Sequence, residues 1–297
     1  MAGKIEIPEQ LKHDLPQNKW GKILGATPIV MTVIATMLAG LASSEMTRAQ
    51  YDRSLAAQLQ SKAGDQWGYF QAKKLRGAVA RNTLDLLLAT TEISPFGVTA
   101  LQKSADAATL AALVEGKLPE ATHAEFDGKV QAALDAVAAS KPEPEIAAVL
   151  TPVQPATLAA SLRAAQDAAA AFDNATKAIN QAVDRLDETL MNGSDKAAAR
   201  YFAAARLRYL AARYDAESRL NQTIAGIYEL QVRQGNYSAG KHHARSQNFF
   251  FGMLAAQMAV IISTFAIAAR KRNFLWSVAA AAGVAAVAFS LYVYLYV

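Results

Sequence analysis

Uncharged apolar stretches occur in three places along this chain. Two lie at its end, Phe249–Ala269 and Phe274–Val297, and the third, Ile23–Ala42, lies near its start. Each has about 20 or more residues, which is enough for an α-helix to cross the roughly 30 Å hydrocarbon layer of a bilayer. Because backbone polar groups must be satisfied within lipid, the pattern predicts three transmembrane helices, of which the last two form a hairpin.

The first apolar stretch has a second interpretation, because a cleaved signal peptide also has a basic flank and an apolar run. Ile23–Ala42 is long for such a segment, and Leu41-Ala42-Ser43 is a weak cleavage site. We therefore predict an uncleaved signal anchor at 23–42. The polar residues 1–22 before it contain two prolines and show no periodicity, which indicates a short N-terminal tail.

Residues 43–92 have the pattern of one long stalk helix that continues the first transmembrane helix. They contain no proline, and Ser94-Pro95-Phe96-Gly97 ends the pattern. Apolar residues recur at helical spacing at Leu55, Leu59, Ala63, Trp67, Phe70 and Val79.

The middle region, 93–155, has the weakest pattern. It favours two shorter helices, Thr99–Lys117 and Pro119–Ser140, with a proline at the first turn of the second. Lys141–Pro155 carries four prolines and is predicted to be a non-helical linker.

Residues 156–191 have the clearest pattern outside the membrane runs. Apolar and small side chains alternate steps of four and three residues, the 3.5-residue repeat that indicates coiled-coil packing. This seam consists of Leu158, Leu162, Ala165, Ala169, Phe172, Thr176, Ile179, Val183, Leu186 and Leu190.

A helix stop follows, because Asn192-Gly193 favours a left-handed end and Asp195 favours a fresh N-cap. Residues 195–248 predict a returning stalk helix, which Gly235–Gly240 could loosen before it enters the membrane at Phe249. Two long helices of similar length must then reach the same membrane face. We therefore predict an all-α membrane protein with three transmembrane helices and a long antiparallel coiled-coil or helical-bundle insert.

Charge next to the apolar runs predicts the orientation. Arg270, Lys271 and Arg272 occupy a minimal loop, where the positive-inside rule is most reliable, and the N-terminal tail holds four lysines. We expect a multi-pass protein of the bacterial inner membrane with a cytoplasmic N-terminus and a periplasmic or otherwise extracytoplasmic insert. Arginines such as Arg48 and Arg233 in the insert weaken this contrast.

Composition changes this interpretation little. Abundant alanine favours long helices. The net charge of +5 reflects basic residues spread along helix faces and beside the membrane, so we expect a lipid bilayer and no nucleic acid as partner. The chain has no cysteine, which excludes disulfides, thiolate metal sites and cysteine nucleophiles.

One nine-residue segment on the stalk, Asp65–Lys73, reads DQWGYFQAK. It resembles the Asp-x-Trp-x-x-Tyr/Phe-x-Ala-Lys signature of an uncharacterised bacterial membrane family, the domain of unknown function forty-three thirty-seven. The C-terminal layout is similar to that family too, with His242-His243, an apolar helix, a basic turn, Trp276 and a final apolar helix. The resemblance covers both ends of the chain, and the alanine-rich insert from about 95 to 191 departs from it. It implies a membrane architecture and no known activity.

Four residues of this segment form a candidate interaction patch: Asp65, Trp67, Phe70 and Lys73. Trp67 and Phe70 are three residues apart and share a helix face. The simpler interpretation is an aromatic layer that packs the stalk, with Asp65 and Lys73 in ion pairs between helices. The alternative is a surface for a ligand or partner, since aromatic side chains with nearby charges make good binding hot spots.

Other candidate chemistry is weak. His242 and His243 point about 100° apart on a helix, so one helix cannot present both to a single metal ion. Asp184, Asp187 and Glu188 flank the seam, where charges set pairing. A basic ladder on the following helix is suited to pair with these acids, and the alternative is a surface for an anionic lipid or partner; it consists of Arg200, Arg206, Arg208, Arg213 and Arg219. No nucleotide, hydrolase or metalloprotease motif occurs. We predict no catalytic residues, no metal and no cofactor.

The resulting functional hypothesis is a non-enzymatic, membrane-anchored coiled-coil scaffold that forms a homo-oligomer. A narrow hairpin with a 3.5-residue seam has more apolar surface than two helices can cover. A second hypothesis is a sensor or binding module whose helical bundle recognises an external ligand or an unidentified partner protein. A third, weaker one is an accessory subunit or pore.

Overall fold

The computed structural model describes residues 19–93, 101, 105–120, 124–268 and 272–296, and these ranges contain α-helices and no strand. The helices are α1 (Lys19–Thr90), α2 (Ala107–Glu115), α3 (Gly128–Ala138), α4 (Glu143–Leu150), α5 (Pro155–Met191), α6 (Lys196–Ala268) and α7 (Arg272–Tyr296). The predicted all-α fold is confirmed. The chain divides into two compact units, one of residues 1–54 and 235–297 and the other of Leu55–Gln234, so α1 and α6 contribute to both.

Three helices are long and apolar enough to cross a membrane. They contain the stretches Gly25–Thr90, Lys196–Ile267 and Phe274–Leu295, and only 17%, 28% and 22% of the residues in their apolar windows are buried. An exposed apolar helix surface is what lipid requires of a protein. The prediction of an all-α membrane protein with three membrane-spanning helices is confirmed.

The first unit consists of the membrane-proximal parts of α1 and α6 together with α7. Its core joins Leu38 and Ala42 of α1 to Phe249 of α6 and Val293 of α7. A second cluster is built from three alanines, one on each helix, Ala35, Ala256 and Ala286. Small residues let helix backbones approach closely, which is the usual means of helix association in lipid.

Helix α6 runs without interruption through Gly235–Gly240. The expectation that these glycines loosen the helix is wrong. Ala239 in this segment is buried, and the Ser238 hydroxyl donates to the Asp52 carboxylate at 2.6 Å within the same unit. These tertiary contacts offset the low helix propensity of the two glycines.

The second unit is an antiparallel bundle in which α1 and α5 both pack on α6. On α1, Ala63 lies in a cluster with Ile224 and Ile227, whereas Gly77, further along, lies beside Tyr214. The residue numbers of the partners on α6 thus decrease as the residue numbers on α1 increase. This confirms the predicted antiparallel arrangement.

The predicted seam of α5 faces this core. Its buried members are Leu158, Ala165, Phe172, Thr176, Ile179, Val183 and Leu186, and the half-buried ones are Leu162, Ala169 and Leu190. The C-terminal part of the seam, from Ile179 onward, packs with Phe202 and Tyr209 of α6. Leu101 and Leu113 belong to the same cluster.

The corresponding face of α1 differs from the prediction. The small residues Ala56, Ala63 and Gly77 are buried there, and the half-buried Phe70 occupies the seven-residue position between the last two. Leu55 and Val79, two of the apolar residues at helical spacing in the sequence, are exposed. A Cβ at Gly77 would lie only 3.3 Å from the Cβ of Tyr214, so α1 approaches α6 closely here. This close approach explains why small residues occupy the buried face.

The middle region needs two corrections. Helices α2 and α3 are shorter than predicted and begin at aspartate N-caps, Asp106 and Asp127, whose carboxylates accept backbone N–H bonds. The hydrogen bond from the Thr109 backbone lowers the pKa of Asp106 below its ordinary value. Residues 94–100, 102–104 and 121–123 lie outside the described ranges.

The second correction concerns the proline-rich segment Lys141–Pro155, which is not a non-helical linker because it contains α4. Pro142 is the N-cap of α4, and Pro144 lies in its first turn, where a missing N–H costs nothing. Pro152 follows the helix, and Pro155 begins α5. All four prolines therefore lie at helix ends, where proline is compatible with helix.

The turn between α5 and α6 comprises residues 192–195, as predicted, but its backbone differs. Asn192 is right-handed, and Gly116, after α2, is the only described glycine with a left-handed backbone, so the predicted left-handed stop is wrong. The predicted N-cap is confirmed, because the Asp195 carboxylate accepts hydrogen bonds from the backbone of Ala197 and Ala198 at 3.0 Å.

Candidate functional site

A buried ionic group connects α1 and α6 in the second unit. Glu217 of α6 is 5% exposed and forms ion pairs with Lys73 of α1 and, at 2.6 Å, with Arg213 of its own helix. Lys73 and Arg213 also lie over the ring of Tyr214, at 5.5 and 5.9 Å from its centre. One buried carboxylate thus pairs with two cationic side chains at the interface between α1 and α6.

Hydrogen bonds extend this group to α5. The guanidinium of Arg213 donates to the side-chain oxygen of Asn180 at 2.9 Å, and the Tyr209 hydroxyl donates to the same oxygen. Burial raises the pKa of Tyr209. Burial alone would lower the pKa of Arg213, but Glu217 outweighs this effect and raises it. The network Lys73–Glu217–Arg213–Asn180–Tyr209 therefore ties three helices together.

The four residues of the candidate interaction patch do not form one surface. Trp67 and Phe70 contact each other edge to face, with ring centres 5.4 Å apart, and Lys73 belongs to the buried ionic group. Asp65 is exposed, and its ion pair with a neighbouring helix stays a prediction. The packing interpretation of Lys73 agrees with the structure.

Trp67 lines a groove of about 740 Å³ in the second unit. Its apolar wall is completed by Phe126, Leu134 and Ile146, and its other side carries charged residues. Among these, Arg233 is bonded to Glu143 and, at 2.8 Å, to Glu229. Burial alone would lower the pKa of Arg233, but these two hydrogen-bonded carboxylates raise it.

An exposed apolar seam runs along the outer face of α1. Its members follow steps of four and three residues, the same 3.5-residue repeat as in α5. They are Gly68, Ala72, Leu75, Val79, Asn82, Leu86 and Ala89, all of which are exposed in the structure. Leu75, Val79 and Leu86 are 66%, 56% and 64% exposed. The sequence contains the pattern of this seam. The buried face of the same helix also has helical spacing, so the pattern alone does not show which of the two faces is covered.

The residues beside this seam carry little charge. The positions adjacent to its edges are Tyr69, Gln71, Arg76, Ala78, Thr83, Asp85 and Thr90. Only Arg76 and Asp85 are charged, and they have opposite signs. A second copy of the same seam would therefore meet no like-charge repulsion across its flanks.

The two adjacent histidines have different surroundings in the first unit. His242 bonds through Nδ1 to the Glu45 carboxylate at 2.5 Å, and its Nε2 lies 4.0 Å from the Asp52 carboxylate. His243 instead lines a smaller cavity of about 560 Å³ between α1 and α6. The divergence expected from the helix geometry is confirmed.

The basic ladder of α6 pairs only in part as predicted. Arg206 forms an ion pair with Asp187 at 2.7 Å. Arg208 donates instead to the backbone carbonyl of Val114, near the end of α2, at 2.8 Å. Arg219 pairs with Asp215 on its own helix.

Within the described ranges, no group of three or more histidine, aspartate or glutamate side chains could hold a metal ion. The topology residues Arg270 and Lys271 lie outside these ranges, and Arg272 is the first residue of α7.

The sequence model of the family described as Domain of unknown function (DUF4337) matches residues 20–125. The resemblance stated for Asp65–Lys73 is thereby confirmed, whereas the C-terminal part of that resemblance lies beyond the match. No curated protein and no solved structure matches the chain. The matched segment contains all of α1 after its first residue, including Trp67 and the exposed seam.

Proposed function

We propose that the protein is a non-enzymatic, membrane-anchored helical scaffold that assembles with copies of itself through the exposed seam of α1. The observation that carries the proposal is the run from Gly68 to Ala89, about three heptads of exposed small and apolar side chains. A seam of this period is suited to packing against another helix of the same period. Contiguous exposed apolar surface of this kind is typical of association sites.

Membrane anchoring favours a second copy as the partner. Copies held in one bilayer by the same three helices present the same seam in a parallel arrangement and at the same height. Asn82 would then face Asn82 of the neighbour, and a single polar residue in an apolar seam selects such a register at some cost in stability. The weak flanking charge permits this symmetric pairing.

The absence of catalysis is part of the proposal. The most buried acid of the second unit, Glu217, is used in ion pairs between helices, which supports a structural role for it. We further propose that the protein lies in the bacterial inner membrane with the insert on the extracytoplasmic side, as the charges at Arg270, Lys271 and Arg272 favour.

Cysteine cross-linking in membranes tests the assembly, and the natural chain provides a background without cysteine. We expect Val79→Cys and Leu86→Cys to give cross-linked dimers on oxidation, because seam positions of neighbouring copies face each other. Leu88→Cys is the matched control, since Leu88 is 48% exposed but lies off the seam. It should remain monomeric on denaturing gels.

Equal cross-linking at positions 79, 86 and 88 would indicate random collision and contradict the assembly. Leu75→Ser places a polar side chain in the seam and should lower the mass of the particle extracted in detergent. The assembly would also be contradicted if no seam position cross-linked and Leu75→Ser left this mass unchanged.

A second candidate function is a binding module, which the groove at Trp67 favours. Its volume of about 740 Å³ lies in the range of small-ligand sites, and it combines an aromatic wall with charged groups. In that role the extracytoplasmic bundle would recognise a ligand or partner protein, and Trp67→Ala would abolish recognition. Self-assembly would persist in this variant, because Trp67 lies off the seam.

A further inference from the structure

A single amide side chain occurs within the three apolar runs of the sequence. It belongs to Gln257 of α6, which is eight residues after Phe249 and twelve before Ala269, the two ends of its run. At 1.5 Å per residue, Gln257 lies about 12 Å and 18 Å from these ends, near the middle of the hydrocarbon layer. Its side chain is exposed, so in a single copy the amide faces lipid.

The amide of Gln257 has no hydrogen-bond partner among the residues that the structure describes. The hydroxyls of the same runs are different. Thr32, Thr36 and Thr264 each donate to a backbone carbonyl of their own helix, at 2.8 to 2.9 Å. An amide has two donors and an acceptor, and hydrocarbon offers no partner for them. The exposed amide therefore costs free energy that a polar partner within the membrane would recover.

A groove of about 460 Å³ lies between α1 and α6 beside this amide, within the first unit. Its α1 side consists of small and hydroxyl side chains. The lining residues are Thr32, Ala35, Thr36 and Ala39 of α1 and Gln257, Val260 and Ile261 of α6. Such side chains let another helix approach closely in a membrane, where packing and hydrogen bonds between helices drive association.

We propose that a second copy of the chain packs against this groove, with the Gln257 amides of the two copies hydrogen-bonded to each other. Copies inserted in the same orientation hold their amides at the same depth, so a two-fold axis along the membrane normal brings the same residue together. The amide is self-complementary, because the NH₂ group of each copy donates to the oxygen of the other. The apolar runs of α1 and α6 contain no charge, so no repulsion opposes this contact.

This inference rests on the proposed self-assembly and adds to it a contact within the membrane. The exposed seam of α1 and the amide of Gln257 belong to different units of the chain. Each contact is therefore tested with its own set of variants.

Cysteine cross-linking in membranes tests the new contact in the full-length chain. Ile261 lines the groove and lies about 40° around the helix from Gln257, whereas Met258 lies about 100° away. The two side chains are similarly exposed, at 49% and 54%. We expect Ile261→Cys to give cross-linked dimers on oxidation, and the matched control Met258→Cys to remain monomeric on denaturing gels.

Substitutions at position 257 test the amide itself. Gln257→Met keeps the length of the side chain and removes the amide, so it should lower the association constant roughly three- to tenfold. Gln257→Asn keeps an amide and should retain association. The control Thr264→Val removes a hydroxyl that donates within its own helix and should leave association unchanged. The cross-linked fraction of Ile261→Cys at increasing ratios of lipid to protein measures the association constant.

The outcomes separate this contact from the seam of α1. Equal cross-linking at positions 258 and 261, or an unchanged association constant in Gln257→Met, would overturn the contact. Cross-links at Val79→Cys with none at Ile261→Cys would also overturn it and leave assembly through the seam in place. Cross-links at Ile261→Cys with none at Val79→Cys would support it and contradict the seam. Absence of both would contradict both contacts.

Discussion

At the scale of single residues, the second unit depends on one carboxylate. Glu217 is nearly inaccessible to solvent and is the shared partner of Lys73 and Arg213, whose side chains are 26% and 25% exposed. A buried ion pair adds little net stability over apolar packing, but removing one partner leaves the remaining charges uncompensated. Both cations depend on this carboxylate, so its loss affects two helices at once.

We therefore expect Glu217→Gln to lower the free energy of unfolding of the detergent-solubilised protein by about 2–3 kcal/mol. The matched control is Asp215→Asn, because Asp215 also pairs with an arginine four residues away, but Arg219 is 76% exposed. Its cost should stay below about 1 kcal/mol. Denaturant unfolding followed by circular dichroism measures both, and equal costs would contradict the role of burial.

At the scale of elements, glycine sets how closely the helices of the first unit approach. A Cβ on Gly252 of α6 would lie 2.7 Å from the Ser290 hydroxyl of α7 and 3.4 Å from Leu38 of α1. Gly240, on the same helix, would meet nothing within 4 Å. One glycine is required by packing, and the other is not.

This difference predicts opposite effects of one substitution. Gly252→Leu should destabilise the protein by about 1–3 kcal/mol, because the added side chain forces α7 or α1 away. Gly240→Leu should stabilise it slightly, because leucine has a higher helix propensity than glycine. Thermal unfolding in one detergent compares the two variants, and similar shifts in Tm would contradict the close approach.

At the scale of the whole molecule, α1 and α6 connect the membrane-spanning runs to the helical insert without a break in either helix. We expect the charges that flank the apolar runs to place the insert outside the cytoplasm, because the positive-inside rule favours a cytoplasmic loop at 270–272.

We expect single cysteines to report this orientation. Ser194→Cys, in the exposed turn between α5 and α6, should react with a membrane-impermeant maleimide in intact spheroplasts. Gln10→Cys, in the N-terminal tail, should react only after lysis. The reverse pattern would place the insert in the cytoplasm.

The seam of α5 and the three apolar runs were predictable because their patterns are continuous and face one environment. Helix α1 was harder, since it carries two apolar faces at once. The small residues Ala56, Ala63 and Gly77 of its buried face give a weak hydrophobic signal, whereas Leu75, Val79 and Leu86 of its exposed face give a strong one. The predicted helical spacing therefore combined Leu59 and Ala63 of the buried face with the exposed residues Leu55 and Val79.

The sequence by itself determined the helical class, the three membrane-spanning lengths and the antiparallel return, because these depend on periodicity and on the hydrogen-bonding demands of lipid. The tertiary structure alone decided which face of α1 is covered, that Lys73 meets Glu217 while Asp65 faces solvent, and that His242 and His243 have different partners. These outcomes depend on how closely neighbouring helices approach and on their relative rotation. Both are set by contacts between residues far apart in the chain, which no local pattern contains.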